Sequence, residues 1–441
     1  MPAPISSWTK LGYSSTPYST AQIPSGERGE KLLIGRAVEM EQIHRKLVNG
    51  VNLIAIEGDY GVGKSSLATV AAYEASRWHL EGDNLFIPAI GMEALELQED
   101  ESPDSFKKRV YYRIAAAFIS NEAMLKSNNF ELKQMDSFAR WLNGPSGSGW
   151  SAGIGASLAA IGGFNLNLGR SSGVNSAPGF NDSGIYTMID SWLAEISRGN
   201  RPAGVICVLD NLENLRHFKN AERLFESLRD GVFRRPGVVW IVCGAEGMVT
   251  ESFSSRKIFG TFHPAIDVPP LNSNDIPRVI EARAESLKTR ADAELPVSTS
   301  AFGRLYEATG HNLRFAFGLA DSYASSMDVE KFLGSSVDDR ELMFQGYLTR
   351  RGDDELSKLR KNPTKADWKV LKTLVTKLSG VCSPSSSSEF GYSDMPQLIV
   401  RVKALRNVGL VTYETDEEDG RRRLISATAV GRLVLLGSRE F

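Results

Sequence analysis

Residues 51–65 read Val-Asn-Leu-Ile-Ala-Ile-Glu-Gly-Asp-Tyr-Gly-Val-Gly-Lys-Ser, and they contain the most specific pattern in the chain. The short apolar run Val51–Ile56, followed by a glycine-rich turn, is typical of a buried strand. Gly58–Ser65 fits G-x-x-x-x-G-K-[ST] at every position, and a helix rich in Ala and Leu is predicted from Ser65 to about Trp78. A strand before the motif and a helix after it are the context that the motif requires.

The chemistry that this motif supports is the binding of phosphates. Its glycines let backbone N–H groups turn inward around phosphate oxygens. Lys64 would face the β- and γ-phosphates, the Ser65 hydroxyl would ligate Mg²⁺, and the start of the helix would direct its positive end at the same group. The sequence therefore predicts a site for ATP with Mg²⁺, formed by Gly58, Asp59, Tyr60, Gly61, Val62, Gly63, Lys64, Ser65 and Ser66.

Further buried strands alternate with predicted helices along the chain. They are predicted at 84–90, 204–209, 237–242 and 265–268. This alternation indicates an α/β fold, a P-loop NTPase parallel sheet with helices on both faces. Asp210 directly follows the strand at 204–209, so it is predicted to be the second Mg²⁺ ligand.

The residues after Asp210 decide what can be expected of hydrolysis. A hydrolysing site needs a group that orients the attacking water. Glu213 either fills that role or is a solvated residue at the start of a helix. Asn211 stands where many such ATPases carry the acid, so we expect slow turnover.

The C-terminal residues have a pattern of their own. Two amphipathic helices are predicted, one around Trp368–Leu378 and one around Met395–Leu405. Two strands, Val411–Glu414 and Arg421–Ile425, flank an acidic turn that ends in Asp-Gly, which is a hairpin signal. Helices followed by such a wing predict a winged helix-turn-helix.

The organisation of the whole chain follows from these patterns. We expect an N-terminal arm at 1–31, an ATPase core at 32–272, a helical lid at 273–349, a charged linker at 350–365 and the winged helix at 366–441. Within the core, the segment 144–181 is crowded with Gly, Ser and Asn. It is either a hairpin or flexible loop at the surface, or a mobile loop that touches a partner or DNA.

Composition excludes several classes of protein. The 441 residues carry a formal net charge of −2, so bulk attraction to nucleic acid is not expected and any such contact needs a local patch. The three cysteines are far apart and form no zinc motif, which indicates buried thiols in a reducing compartment. No run approaches the length of a membrane span, and the first 20 residues lack a signal-peptide core, so we expect a soluble, cytoplasmic protein with no membrane contact.

Taken together, residues 32–436 resemble the AAA+ superfamily, most closely its initiator-type members and the neighbouring STAND signalling ATPases. The resemblance is carried by Ile34-Gly35-Arg36, the P-loop, Leu209-Asp210, the strand ending at Cys243-Gly244, and Gly310-His311-Asn312-Leu313-Arg314. It implies that Gly35 and Arg36 lie beside the adenine and that Arg314 reads the γ-phosphate from the lid. It also implies a homo-oligomer in which Arg256 reaches the ATP of a neighbouring subunit. The catalytic set is then Lys64, Asp210, Glu213, Arg256 and Arg314.

The sequence departs from the family at one site. The polar residue expected after the strand that ends at Cys243-Gly244 is not obvious. Glu246 is the only candidate, and its carboxylate would repel phosphate. This departure is a second reason to expect slow hydrolysis.

The winged helix leaves two functions open. From Lys361 onward there are 13 Lys and Arg against 9 Asp and Glu. Double-stranded DNA could be contacted by Gln397, Arg401, Lys403 and Arg406 on the second helix and by Arg421, Arg422 and Arg423 on the wing. Five acids between Glu414 and Asp419 oppose this reading. The alternative is a STAND-like signalling or defence ATPase, whose winged helix contacts protein and which acts through a separate effector protein.

Overall fold

The computed structural model describes residues 6–80, 84–89, 94–98, 101–135, 182–198, 201–212, 221–253, 263–359, 362–415 and 423–437. The predicted Gly-rich insertion at 144–181 lies outside these residues. The chain divides into two units. We call Gln22–Asp59 with Gly63–Pro269 the sheet unit, and Met1–Ala21 with Tyr60–Val62 and Pro270–Phe441 the C-terminal unit.

Over its described residues, the sheet unit is built on five parallel strands. They are β1 Leu53–Glu57, β2 Leu85–Pro88, β3 Ala203–Leu209, β4 Val238–Gly244 and β5 Ile266–Asp267, in the order β2-β3-β4-β1-β5. β1 pairs with β4 so that Ile56 lies opposite Cys243, and β3 pairs with β4 so that Leu209 lies opposite Val242. The predicted parallel sheet of a P-loop NTPase is confirmed.

The helices are numbered along the whole chain. Up to the last strand of this sheet they are α1 Ser7–Lys10, α2 Glu27–Leu32, α3 Ala37–Val48, α4 Lys64–Ser76, α5 Pro103–Ser120, α6 Glu122–Ser127, α7 Asp182–Ser197, α8 Ala221–Leu228 and α9 Met248–Phe253. Beyond it they are α10 Ile276–Leu287, α11 Thr299–Ala308, α12 Leu313–Ser326, α13 Val329–Leu333, α14 Val337–Ser357, α15 Lys365–Lys377, α16 Met395–Asn407 and α17 Ala429–Gly437. Among the described helices, none has both the length and the apolarity needed to cross a membrane.

Helices cover both faces of the sheet, as the fully buried strands β1 and β4 require. One face packs against α5, α7 and α8 in a core that includes Trp192 and Trp240. The other face packs against α4. Trp240 is fully buried, and its indole nitrogen donates to Val232 O at 3.2 Å.

The N-terminal arm belongs to the C-terminal unit and is anchored there by buried apolar and aromatic side chains. Leu11 and Tyr18 are completely buried. The Tyr18 hydroxyl donates to Val297 O at 2.6 Å, and its ring stacks on Phe302 with the centroids 5.8 Å apart. An apolar ring with a satisfied hydroxyl fixes this arm by burial and by hydrogen bonding together.

The predicted charged linker at 350–365 is helical over its first part. α14 continues to Ser357, where the sequence pattern indicated a helix that ends near 349. Its charges pair along the helix, as between Arg351 and Glu355 at 3.6 Å, and α14 packs against α17. A run of charged residues therefore forms the solvated face of a helix here.

The C-terminal residues fold as a winged helix, with one strand more than predicted. Helix α15 opens with a capping box in which Thr364 and Asp367 satisfy each other's backbone N–H groups. β6 Val381–Cys382, β7 Val411–Thr415 and β8 Arg423–Ala427 form an antiparallel sheet in the order β6-β8-β7, and a 3₁₀ turn, Pro384–Phe390, precedes α16. β6 has only two residues, too few for a period-two pattern to indicate a strand.

The three cysteines are free and buried, as the sequence predicted. Cys207 lies on β3, Cys243 on β4 and Cys382 on β6. Burial raises the pKa of the Cys207 thiol to about 12 and that of Cys382 to about 11. These thiols therefore behave as small core side chains.

Candidate functional site

The loop between β1 and α4 has a backbone that favours glycine at three positions. Gly58, Gly61 and Gly63 have φ of +149°, +85° and +100°. A Cβ on Gly58 would also lie 2.5 Å from Val268 O, so a side chain there would collide with backbone. Gly63 is the N-cap of α4, and no side chain caps that end. The first N–H groups of α4 thus remain available to an anion.

Lys64 is buried at the start of α4 and points back into the loop. Its ammonium group donates to Gly58 O and to Asp59 O, both at 2.9 Å. The two carbonyls hold a positive charge in the centre of the loop. A charge in that place suits phosphate oxygens, since the surrounding burial limits screening by solvent.

Ser65 and Asp210, the two predicted metal ligands, are in direct contact. Asp210 follows the last residue of β3 and is buried, and its carboxylate accepts a hydrogen bond from the Ser65 hydroxyl. Only β4 separates β3 from β1, so the ends of both strands lie at one edge of the sheet. The fold therefore brings together three of the residues singled out in the sequence: Lys64, Ser65 and Asp210.

This pair of oxygen donors fits Mg²⁺. Mg²⁺ is usually held by one or two protein oxygens, while substrate phosphates and waters complete its shell. Over the described part of the chain, no group of three or more His, Cys, Asp or Glu is placed to hold a metal ion. A divalent cation at Ser65 and Asp210 would therefore rely on a phosphate ligand.

Beyond Asp210 the chain turns sharply. Asn211 has φ of +55°, a left-handed conformation that asparagine tolerates better than most residues. Its side-chain amide donates to the carboxylate of Glu96. Glu213, predicted to orient water, lies outside the described residues, so its role stays a prediction. Glu96 was not identified from the sequence, because its position beside Asn211 depends on a long-range contact.

A second carboxylate missed by the sequence pattern, Glu57, contacts the turn between β4 and α9. Glu57, the last residue of β1, is buried and accepts from the N–H groups of Gly247, at 3.2 Å, and Thr250, at 2.7 Å. It thereby caps the start of α9, where a negative charge is favourable. In the sequence Glu57 directly follows the apolar run Val51–Ile56, and nothing there indicates its contacts with Gly247 and Thr250.

Gly35 and Arg36, the residues predicted beside the adenine, lie at the start of α3. Gly35 has φ of +74°, and the buried Arg36 donates to Glu39 at 2.8 Å. The Ser66 hydroxyl accepts from Ile23 N at 3.1 Å, and Gln22 donates to Ser65 O at 3.0 Å. The segment at Gln22 and Ile23, which the sequence did not indicate, thus adjoins the first turn of α4. Contact of Gly35 and Arg36 with an adenine stays a prediction.

Packing is tight at the end of β4. β4 ends at Gly244, where a Cβ would lie 2.8 Å from Val249 Cγ2 and 3.3 Å from Leu212 Cβ. A side chain at this position would therefore require Val249 or Leu212 to shift.

Arg314 contacts the tip of the P-loop. Within the C-terminal unit, its guanidinium donates to the Tyr60 hydroxyl at 2.6 Å and lies 4.8 Å from the centre of that ring. Helix α12, which carries Arg314, is capped by the Asn312 side chain. Reading of the γ-phosphate by Arg314 stays a prediction, and Arg256, the predicted finger, lies outside the described residues.

Some of the residues predicted to contact DNA are exposed on the surface of the winged helix. On α16, Gln397, Lys403 and Arg406 are exposed. Arg401 is half-buried and lies 3.6 Å from the buried carboxylate of Asp367, so it is paired within the domain. On β8, the exposed Arg423 lies 5.2 Å from the centre of the Tyr413 ring. Arg421 and Arg422 lie outside the described residues.

No protein-family model matches the sequence, and no curated protein matches it. The chain is similar to a solved Walker-type ATPase of Pyrococcus abyssi, with a TM-score of 0.42 and 12% identity over 95% of this chain and 100% of the other. The ORC2 protein of Aeropyrum pernix in its ADP form gives 0.42 and 13%, over 96% and 98% of the two chains. The ORC1 protein of the same organism, in complex with DNA, gives 0.38 and 13% over 92% and 96%. At these scores the likenesses carry no functional inference.

Proposed function

We propose that this chain is an AAA+ type molecular switch that binds ATP with Mg²⁺, hydrolyses it slowly and binds duplex DNA through its winged helix. The observation that carries the proposal is the P-loop, where the Lys64 ammonium sits inside the loop and Ser65 meets Asp210. Such a loop supplies a point charge, backbone N–H groups and an oxygen ligand pair. These are the groups that recognise a magnesium nucleoside triphosphate.

Roles for the remaining residues follow from the family resemblance. Gly35 and Arg36 would border the adenine, and Arg314 would report the γ-phosphate to the lid. Arg256 would act on the ATP of a second copy of the chain, so that ATP favours a homo-oligomer. A protein that cycles slowly between ATP and ADP forms acts as a switch, since each form persists long enough to be read by a partner.

The DNA part of the proposal is supported by the surface of α16. Lys403 and Arg406 are exposed and form no ion pair within the described part of the chain, and Gln397 shares their helix. The unit from Lys361 onward is net basic while the whole chain is net acidic. Local positive charge on an exposed helix suits contact with phosphates and with the edges of bases.

The test is duplex binding measured by fluorescence anisotropy across a salt series, with ATP, ADP and no nucleotide. Replacing Lys403 and Arg406 together with alanine should weaken binding and reduce the salt slope by up to about two units, because two phosphate contacts are lost. Lys377→Ala, on α15, is the control and should leave the slope unchanged. Absence of duplex binding by the wild type at low salt, with every nucleotide, would contradict the DNA proposal.

One observation favours a second function, in which the winged helix binds protein in a STAND-like signalling switch. Val400 and Met395 on α16 are 61% and 43% exposed, and both are apolar. Exposed apolar side chains on a helix suit a protein partner better than a phosphate backbone. In that case a separate effector protein would occupy this face, and Val400→Asp would abolish its binding without changing ATP affinity.

A further inference from the structure

A segment after β2 joins the edge of the sheet at the nucleotide site. Leu95 N donates to Val208 O at 3.2 Å, and Asp210 N donates to Leu95 O at 2.8 Å. Leu95 and Leu209 form a parallel bridge, and both are buried in the same core. The segment around Leu95 therefore runs beside the end of β3, at the strand end that carries Asp210.

The alternation of side chains fixes where Glu96 lies. Neighbouring residues of an extended segment point to opposite faces, and residues paired between strands point to the same face. Because Leu95 and Leu209 share the core face, Glu96 and Asp210 both belong to the opposite face. Asp210 uses that face to contact Ser65 of the P-loop. Glu96 is thus a second carboxylate beside the predicted metal ligands.

Within the described chain, two hydrogen bonds hold Glu96 in place. The Asn211 amide donates to its Oε1, while the Arg109 guanidinium donates to its backbone carbonyl at 2.6 Å. Arg109 is itself held by the carboxylate of Glu101 through two hydrogen bonds, at 2.7 and 2.6 Å. Within the described chain, Oε2 of Glu96 receives no hydrogen bond. A positioned carboxylate with one oxygen available suits the binding of a water molecule.

We infer that Glu96 is the catalytic carboxylate of this site and that Asn211 is its positioning residue. The inference rests on the proposed ATPase function. Asn211 follows the Mg²⁺ ligand Asp210, where an acid is expected, but an amide cannot take up a proton at neutral pH. The Glu96 carboxylate, which Asn211 holds, supplies this missing acid from the neighbouring segment.

The step that Glu96 serves is the hydrolysis of ATP. Glu96 Oε2 accepts a hydrogen bond from water and orients its oxygen toward the γ-phosphorus. A bond forms between that oxygen and phosphorus, the bond from phosphorus to the β–γ bridging oxygen breaks, and ADP leaves with the electron pair. The water proton passes to Glu96 and then to solvent, so the products are ADP, inorganic phosphate and a proton.

The test combines ATP binding by calorimetry with phosphate release under single-turnover conditions, on the full chain with Mg²⁺. Glu96→Gln keeps the shape of the side chain and should lower phosphate release by about 10²-fold or more, with ATP affinity unchanged. Asn211→Gly suits the left-handed backbone, removes the amide, and should lower release by about tenfold without a change in affinity. Glu131→Gln, an exposed glutamate of the same unit, is the control.

The outcomes separate this inference from the proposed function. A wild type that does not bind ATP would overturn both. A wild type that binds ATP but releases no phosphate would overturn the role of Glu96 and leave nucleotide binding in place. Wild-type release by Glu96→Gln, together with a large loss in Glu213→Gln, would overturn Glu96 and assign the water to Glu213.

Discussion

Replacing Lys64 with alanine is expected to abolish tight ATP binding. The ammonium group of Lys64 is buried in the loop and would exchange its contacts with Gly58 O and Asp59 O for phosphate oxygens. A hydrogen bond to a charged group contributes about 1.5–3 kcal/mol, so loss of two such bonds lowers affinity by roughly 100-fold or more. Calorimetric titration with Mg²⁺ and ATP measures the change.

The matched control is Lys31→Ala, which removes an exposed lysine of the same unit. It should bind ATP as the wild type does. Omission of Mg²⁺ should weaken wild-type binding, because the phosphates would lose the cation that we propose binds at Ser65 and Asp210. Wild-type affinity in Lys64→Ala would contradict the assignment of the P-loop as the nucleotide site.

Gly431→Ala is expected to cause a large loss of stability in the C-terminal unit. Gly431 lies in α17, where a Cβ would come within 2.1 Å of Leu410 O and 3.0 Å of Leu410 C. Backbone atoms cannot move aside as a side-chain end can, so α17 must shift. Overpacking of this kind costs about 1–3 kcal/mol and sometimes more. Scanning calorimetry on the full chain should show a lower melting temperature for the transition of this unit.

Gly303→Ala makes the same chemical change as Gly431→Ala but is expected to raise the stability of the C-terminal unit. Gly303 lies within α11, and a Cβ there would meet no atom within 4 Å. Alanine should stabilise this helix by about 0.5–1 kcal/mol, because glycine loses more conformational freedom on folding. Equal shifts of the melting temperature in both variants would show that the close approach of Gly431 to Leu410 has no energetic consequence.

Local sequence patterns predicted the elements of the fold well where the pattern lies within one element. The strand before Gly58 and the helix after it follow from hydrophobicity and glycine placement over 15 residues. The strand order of the sheet could not be predicted in this way, because it depends on which strands pair across long stretches of chain. The charged start of the predicted linker was misjudged for a related reason, since its helix is supported by packing against α17.

The residues of the candidate site also differ in whether a local sequence pattern could indicate them. Lys64 and Ser65 belong to a contiguous motif, and Asp210 directly follows an apolar strand, so all three could be singled out as candidate site residues without a structure. Glu96 and Glu57 could not, because each is recognised by a hydrogen bond from a residue distant in sequence, Asn211 and Thr250 respectively. A site residue that is defined by a long-range contact, and not by its spacing within a motif, can be recognised only from the structure.

The three buried cysteines give the protein a built-in reporter of local opening. Thiol reagents react with the exposed thiolate, and burial of Cys207 and Cys382 both hides the sulfur and raises its pKa. Modification must therefore wait for a transient opening of the surrounding core. Cys207 and Cys243 lie in the sheet and Cys382 lies in the winged helix. Mass spectrometry of the labelled peptides would therefore measure the rate of opening of the sheet core and that of the winged helix separately. Saturating ATP should slow labelling of the sheet thiols, and no introduced probe is needed to see it.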